Sequence, residues 1–198
     1  MTSYSPTIEP LGDRGVLLRL GAEPSRELTA VLAGVARAAR KLGRVVDTSP
    51  GQTTVLLEVE SGAGAEIAEH VRALVDETEP YEGNLEDVEI EYSGEDFEWA
   101  CEHLRIERDE LIRLHSSKPY DVRLLGSPGF IYLSEVPEAI AVPRLDSPRQ
   151  HVPEGSVGIA GRQTGIYGRP RPGGWRLIGR VNEVPSVTPG DSIRFRPR

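Results

Sequence analysis

The first half of the chain alternates between short apolar runs and segments in which apolar residues are spaced three and four apart. The longer of two such series predicts one face of an amphipathic helix: Leu28, Val31, Leu32, Val35, Ala39 and Leu42. The shorter series predicts a second helix: Ile67, Val71, Leu74 and Val75. Runs rich in apolar and β-branched residues predict four strands: Arg14–Leu20, Arg44–Thr48, Thr53–Glu60 and Asp87–Tyr92. The resulting order, βαββαβ, is that of the ferredoxin-like motif.

The second half begins with helical spacing and then changes character. Two short helices are predicted, the first from Phe97, Ala100, Cys101 and Leu104 and the second from Leu111, Ile112 and Leu114. From Tyr120 onward glycine and proline recur every few residues and helical spacing disappears, which is typical of a compact β-barrel or sandwich. We therefore predict an α+β protein with an N-terminal ferredoxin-like α/β domain over residues 1–93. Residues 94–198 are predicted to form a helical connection and a β-barrel domain.

Charge is distributed unevenly along the chain. The 198 residues carry a net charge of −8, which argues against a nucleic-acid-binding protein. Between Glu58 and Glu110 there are 19 acidic and 3 basic residues, whereas from Ile140 onward there are 10 arginines and 4 acidic residues. One interpretation is a solvated acidic domain beside a solvated basic one. The other is that the basic half meets an anionic ligand or an acidic partner surface.

The cysteine and histidine content gives little support to redox or metal chemistry. Cys101 is the only cysteine and lies on the apolar face of its predicted helix, so we interpret it as a core residue rather than a nucleophile. The four histidines show no ligand spacing, and no metal site is expected. No apolar run approaches the ~20 residues of a membrane span, and no signal peptide is visible at the N-terminus. We expect a cytoplasmic protein that contacts no membrane.

The segment from Gly155 to Tyr167, GSVGIAGRQTGIY, carries a specific resemblance. Together with Pro172–Trp175 (PGGW) and Leu177–Arg180 (LIGR), it resembles the signature of the allophanate hydrolase subunit 1 family. Further blocks along the chain agree with the same family: Leu11–Arg14, Leu114–Ser116, Leu125–Gly126, Pro128–Phe130 and Pro189–Asp191. The resemblance spans nearly the whole length and implies an N-terminal α/β domain followed by a cyclophilin-like β-barrel.

The glycine-rich turn in this segment is a candidate site. Between its permissive glycines, Arg162, Gln163 and Thr164 offer a guanidinium, an amide and a hydroxyl, which suit a carboxylate, a lactam or a peptide edge. From chemistry alone, a tight β-turn with capping side chains explains the pattern equally well. With the resemblance added, the residues expected at a substrate site or subunit interface are Pro128, Gly129, Phe130, Gly161, Arg162, Gln163, Thr164, Gly165 and Tyr167.

His115 closes the second predicted helix of the C-terminal half and admits two interpretations. A histidine at a helix C-terminus is favoured by the helix dipole, and its ordinary pKa also suits a general acid or base. We favour the structural role and keep His115 as the one catalytic candidate. Phe130 and Trp175 are likewise interpreted as barrel core more readily than as a ligand platform. No nucleophile elbow or phosphate-binding P-loop is visible in the sequence.

The resemblance implies a function that this chain does not complete alone. It implies one subunit of an ATP-dependent 5-oxoprolinase, which hydrolyses 5-oxoproline to glutamate. The implied partners are an allophanate hydrolase subunit 2-like protein (the C component of 5-oxoprolinase) and a lactam-utilisation-type protein (the A component). No cofactor is expected on this chain alone, and ATP is implied for the complex. Two alternatives stay open: a binding protein that inhibits a sporulation-type histidine kinase, and a subunit in urea or allophanate metabolism.

Overall fold

A computed structural model of the chain describes residues 4–198, which fall into two compact units. The first unit runs from Met1 to Gly83, and is described from Tyr4 onward, and the second runs from Asn84 to Arg198. None of the helices in the described part of the chain combines the length and the apolar character that crossing a membrane requires.

The N-terminal unit is a four-stranded antiparallel sheet with two helices. Its elements in chain order are β1 (Pro6–Leu11), β2 (Gly15–Leu20), α1 (Arg26–Ala39), β3 (Val45–Pro50), β4 (Thr54–Val59) and α2 (Gly64–Glu77). The strand order in the sheet is β1-β2-β4-β3. Both predicted helices and the first three predicted strands are confirmed. Strand β1 was not predicted, because Pro6 and Pro10 weaken the strand signal in a segment that lies at the sheet edge.

The helices of this unit bury the apolar faces that the spacing predicted. Leu32 and Val35 of α1 and Val71 of α2 are 0 % exposed and share one cluster with the buried side chains of the sheet. Ser25 caps the start of helix α1, where its Oγ accepts the backbone N–H of Leu28 at 3.1 Å.

The C-terminal unit is built around a closed barrel. Its elements in chain order are β5 (Leu85–Glu91), α3 (Phe97–Leu104), α4 (Arg108–His115), β6 (Tyr120–Gly126), β7 (Phe130–Glu135), a 3₁₀ helix (Glu138–Ile140), β8 (Arg149–Val152), β9 (Ser156–Ala160), β10 (Gln163–Tyr167), β11 (Arg171–Gly173), β12 (Arg176–Val181) and β13 (Ser192–Pro197). Seven strands close in the order β10-β7-β6-β13-β5-β12-β9, and β8 pairs with β11 in a separate two-stranded sheet. The predicted barrel and the two short helices before it are confirmed, and the closed seven-stranded barrel is consistent with a cyclophilin-like fold.

The fourth predicted strand forms, but it belongs to the barrel. Strand β5 pairs in parallel with β13, from Leu85 opposite Ser192 to Ile90 opposite Pro197, and antiparallel with β12. In the N-terminal sheet it is β1 that lies beside β2, so the ferredoxin-like order predicted for residues 1–93 is not confirmed. The two units divide between residues 83 and 84, whereas the sequence predicted a boundary between residues 93 and 94. Strand β5 belongs to the second unit because its pairing partners, β12 and β13, lie far away in sequence. No local sequence pattern indicates such pairing.

The barrel wall has two differently packed faces. The inner face surrounds the main core of the unit, to which α4 contributes Leu111 and the strands contribute residues such as Leu133 and Ile166. The outer face of β7, β9, β10 and β12 carries a second, smaller cluster that includes Phe130 and Trp175. These two faces hold the candidate functional residues.

Candidate functional site

Side chains of β10 point alternately to the two faces of the barrel wall. Thr164 and Ile166 face inward, and both are 0 % exposed. Gln163, Gly165 and Tyr167 occupy the outer face, where Tyr167 joins the second cluster. The glycine-rich segment singled out from the sequence therefore contributes to two separate surfaces.

On the inner face, His115 belongs to a buried chain of hydrogen bonds. Its Nε2 lies 3.0 Å from the Thr164 Oγ1, and the Thr164 hydroxyl donates to the Gly158 carbonyl at 3.1 Å. The Thr164 oxygen therefore accepts the Nε2–H of His115, which leaves Nδ1 to accept the Tyr92 hydroxyl at 2.8 Å. His115 is a neutral imidazole with both ring nitrogens satisfied.

Aromatic rings enclose this imidazole. Phe195 and Tyr120 stack on it, with ring centroids 4.7 and 5.5 Å away, and Tyr92 meets it edge-on at 5.7 Å. Burial lowers the pKa of His115 to about 3 and raises the pKa of the Tyr92 hydroxyl. His115 is 0 % exposed, so no side of the ring is open to a ligand. The geometry favours the structural interpretation of His115 over the catalytic one.

On the outer face, four aromatic side chains form what we call the aromatic face: Phe130, Tyr132, Tyr167 and Trp175. The Phe130 ring is central, with centroids 4.5 Å from Tyr132, 4.7 Å from Tyr167 and 4.9 Å from Trp175. Three of the rings are almost closed to solvent, whereas Tyr132 is half-buried. Tyr132 is therefore the most accessible of the four rings.

Gly165 allows the aromatic rings to lie against the barrel wall. It stands opposite Tyr132 in the ladder between β10 and β7. A Cβ atom at this position would lie 2.6 Å from Cε1 of Phe130 and 2.7 Å from the carbonyl oxygen of Ile131. Gly165 is needed because the Phe130 ring takes the space that a side chain would fill.

Three polar groups belong to residues of the aromatic face or to residues near it: the Tyr132 hydroxyl, the Arg144 guanidinium and the amide of Gln163, which stands opposite Ala160 of the same cluster. None of them has a hydrogen-bond or ion-pair partner among residues 4–198, and the Arg144 guanidinium lies 5.7 Å from the centroid of the Trp175 ring. A guanidinium binds a carboxylate through two parallel hydrogen bonds, and an amide both donates and accepts. The set suits a small compound that carries a carboxylate and an amide.

Two turns at the ends of the aromatic face hold the other predicted residues. In the turn between β9 and β10, Gly161 adopts a φ of +58°, and the Arg162 Nη2 lies 3.5 Å from the Glu135 Oε2 in an exposed ion pair. In the turn between β6 and β7, Pro128 and Gly129 are exposed. All four predicted turn residues are therefore accessible from solvent.

The structure gathers most of the predicted site residues and separates one of them. Phe130, Gln163, Gly165 and Tyr167 share the outer face of the barrel wall. Thr164 lies between them in sequence but faces the buried imidazole on the other side of the wall. Its hydroxyl is used inside the protein and is not available to a ligand at the aromatic face.

Sequence reasoning missed two residues of this site and undervalued a third. Tyr132 alternates with Phe130 along β7, so a period-two pattern could have revealed it. Arg144 lies in a segment with neither helix nor strand, where no local signal indicates its position. Trp175 is buried, as its interpretation as a core residue required, yet its ring also forms a wall of the aromatic face.

Two other expectations concern reactive groups. Cys101 is 7 % exposed and packs in the main core, and burial raises the pKa of its thiol, which agrees with its interpretation as a core residue. Within residues 4–198, no three His, Cys, Asp or Glu side chains are arranged to hold a metal ion.

Comparisons with known proteins place this architecture in a family. A family model described as carboxyltransferase domain, subdomain C and D, matches residues 6–185. The B subunit of 5-oxoprolinase from Escherichia coli O157:H7 is 36% identical over 171 residues, with 78% of each chain covered. The B subunit of 5-oxoprolinase from Bacillus subtilis (strain 168) is 34% identical over 218 residues, with 95% of this chain and 91% of the relative covered.

A solved structure is similar to this chain in fold and sequence. The crystal structure of TTHA0988 matches with a TM-score of 0.81 and 31% sequence identity. The match covers 93% of this chain but only 40% of the TTHA0988 chain. These relationships confirm the resemblance to the allophanate hydrolase subunit 1 family. The chain therefore belongs to the family of carboxyltransferase domains of subdomain C and D type, which includes the B subunit of 5-oxoprolinase.

Proposed function

We propose that this chain is the B-type subunit of a 5-oxoprolinase complex, which opens the lactam of 5-oxoproline to give glutamate. The observation that carries the proposal is the sequence relationship to two B subunits of 5-oxoprolinase, at 36% and 34% identity. The second of these relationships covers 95% of this chain, so it extends over both compact units.

The aromatic face offers suitable groups for this substrate. 5-Oxoproline carries a carboxylate and a planar lactam. In the proposed complex the Arg144 guanidinium binds the carboxylate, the Gln163 amide pairs with the lactam, and the half-buried Tyr132 ring gives an apolar contact. Site residues of these types orient a small substrate rather than attack it.

The remaining chemistry is assigned to partner subunits. Hydrolysis adds one water molecule across the lactam C–N bond, and in this chain the His115 imidazole and the Cys101 thiol are both buried. The proposed complex contains a lactam-utilisation-type protein (the A component) and an allophanate hydrolase subunit 2-like protein (the C component), with ATP bound outside this chain. We propose that the complex acts in the cytoplasm, where ATP is available.

Reconstitution tests this function. The three subunits are purified separately and mixed, and glutamate release from 5-oxoproline is measured with ATP present. We expect at least a hundredfold loss of the rate when this chain is omitted, and recovery when it is added back. Equal rates with and without the chain, or no glutamate release by the full mixture, would contradict the proposal.

A further inference from the structure

The buried carboxylate of Asp96, outside the aromatic face, binds two arginines and the backbone of strand β12. Asp96, directly before α3, is 5 % exposed. Its Oδ2 accepts the Arg149 Nη2 at 2.9 Å and the backbone N–H of Leu177 at 2.7 Å, and its Oδ1 lies 3.4 Å from the Arg176 Nη1. The backbone N–H of Asp96 donates to the Leu177 carbonyl at 2.8 Å. Both backbone groups of Leu177 are therefore fixed by one residue.

The two arginines extend this network to residues that border the aromatic face. The Arg149 Nη1 donates to the Trp175 carbonyl at 3.4 Å. The Arg176 Nε donates to the Pro143 carbonyl at 3.3 Å, and Pro143 directly precedes Arg144. The network therefore binds the backbone of Trp175, whose ring belongs to the aromatic face, and the backbone next to Arg144.

The orientation of Arg176 is fixed from two sides. Its guanidinium carbon lies 3.5 Å from the centroid of the Trp99 ring, while its nitrogens reach Asp96 and Pro143. A guanidinium is planar and offers its donors in fixed directions, so a contact on its face and two on its edge leave little freedom. Loss of the Asp96 charge removes one of these constraints and also leaves two partly buried cations without their shared partner.

We propose that Asp96 is a positioning residue for the aromatic face. Through Arg149 and Arg176 it sets where the Trp175 ring and the Arg144 guanidinium stand relative to each other, and it does not touch the ligand itself. The identity of the ligand, 5-oxoproline, rests on the proposed function. The position of the Trp175 ring does not, and it is measured separately.

A second carboxylate in the same unit provides the matched control. The Asp87 carboxylate on β5 also binds two arginines, accepting the Arg194 Nε at 2.7 Å and the Arg196 Nη2 at 3.1 Å. The Asp87 carboxylate is exposed and joins β5 to β13 through these two arginines. Neither strand contributes a residue to the aromatic face. An aspartate-to-asparagine change at Asp87 alters the same chemistry at a place unconnected with Trp175.

The experiment compares Asp96→Asn, Arg176→Lys and Asp87→Asn. The indole N–H resonance of Trp175 is recorded in the ¹⁵N-labelled full chain, with Trp99→Phe used to assign it. The KM for 5-oxoproline and the kcat are measured in the reconstituted complex. We expect Asp96→Asn and Arg176→Lys to shift the Trp175 resonance and to raise KM at least fivefold, with kcat changed less than twofold. Asp87→Asn is expected to change neither quantity.

The two readouts separate the possible failures. If Asp96→Asn lowers only the melting temperature, and Arg176→Lys leaves the Trp175 resonance where it was, the positioning role is wrong and Asp96 simply holds α3 against the barrel. If the wild-type complex releases no glutamate while the resonance still moves in both variants, the proposed function fails and the positioning role stands. Arg176→Lys retains the charge beside Asp96, so the test does not depend on Asp96→Asn folding.

Discussion

Gln163 and Thr164 are neighbours in sequence but lie on opposite faces of the barrel wall. The Thr164 hydroxyl is fully buried between the His115 ring and the Gly158 carbonyl, and each of its hydrogen bonds ends inside the protein. The Gln163 amide is half-buried and has no hydrogen-bond partner within residues 4–198. Thr164 therefore contributes to the stability of the protein, whereas the Gln163 amide is free of internal hydrogen bonds within the described residues.

The comparison also explains why a histidine in a family signature block need not be catalytic. The inner face satisfies every polar group of His115, and among the described residues no buried side-chain nitrogen or oxygen lacks a partner. On the outer face the half-buried Tyr132 and the exposed Arg144 have no side-chain hydrogen-bond partner within residues 4–198, so solvent or a ligand can bind them. Under the proposed function, these are the groups that bind the substrate.

Removal of the imidazole should have the largest effect on stability. His115→Ala leaves a cavity between Phe195 and Tyr120 and removes the partner of two buried hydroxyls. We expect the free energy of unfolding to fall by about 3–5 kcal/mol, measured by urea denaturation. A loss below about 1 kcal/mol would show that the inner face does not depend on this ring.

A side chain at Gly165 should have the next largest effect and should act on the outer face. The Cβ of Gly165→Ala meets the Phe130 ring and the backbone oxygen of Ile131, which cannot both move away freely. We expect a loss of about 1–3 kcal/mol in the free energy of unfolding. Gly21→Ala, where nothing lies within 4 Å of the added atom, is the control. Equal stability of the two variants would contradict the packing argument.

The buried imidazole should also make stability depend on pH. An unfolded histidine has a pKa of ~6.5, whereas burial lowers the pKa of His115 to about 3. Between these values the unfolded chain binds a proton that the folded chain does not. The free energy of unfolding is therefore not reduced by protonation of His115 above about pH 6.5. As the pH falls from there toward 3, this free energy decreases by up to ~1.4 kcal/mol per pH unit. The pH dependence of unfolding should be less steep in His115→Gln, and identical slopes would contradict this origin.

The smallest effect on stability is expected at Gln163. Gln163→Ala removes an amide without an internal partner, so the free energy of unfolding should change by less than about 0.5 kcal/mol. Thr164→Val, one residue away, should cost about 1–3 kcal/mol because the Nε2–H of His115 loses its acceptor. Melting curves of the two variants test the comparison directly. A Gln163→Ala variant as unstable as Thr164→Val would mean that both faces are structural.

The sequence predicted elements well where their cause was local. The helical spacing of Leu32 and Val35 depends on neighbours within one or two turns, and the helix that it predicts is present. Strand β5 was also located, but its partners in β12 and β13 were not. Strand pairing over such distances depends on the packing of the whole barrel, so the ferredoxin-like order could not be tested from spacing alone.

The candidate site shows the same limit at the level of single residues. The signature segment drew attention to Gln163 and Thr164 together, because a sequence motif does not state which face each side chain takes. Strand alternation would have separated them once the limits of β10 were known. Arg144 reaches the site from an irregular segment held by backbone contacts, including the N–H of Leu145 bonded to the Gly174 carbonyl at 2.8 Å. Such a contact has no signal in the sequence.

The most direct test of the account is the rate of glutamate release by the reconstituted complex carrying Arg144→Ala and Gln163→Ala together. Arg180→Ala, which changes an exposed arginine on β12, is the control for loss of positive charge. The account predicts at least a hundredfold lower kcat/KM for the double variant, an unchanged melting temperature of this chain, and a normal rate for Arg180→Ala. A double variant whose kcat/KM stays within twofold of the wild type would contradict the assignment of the aromatic face as the functional site.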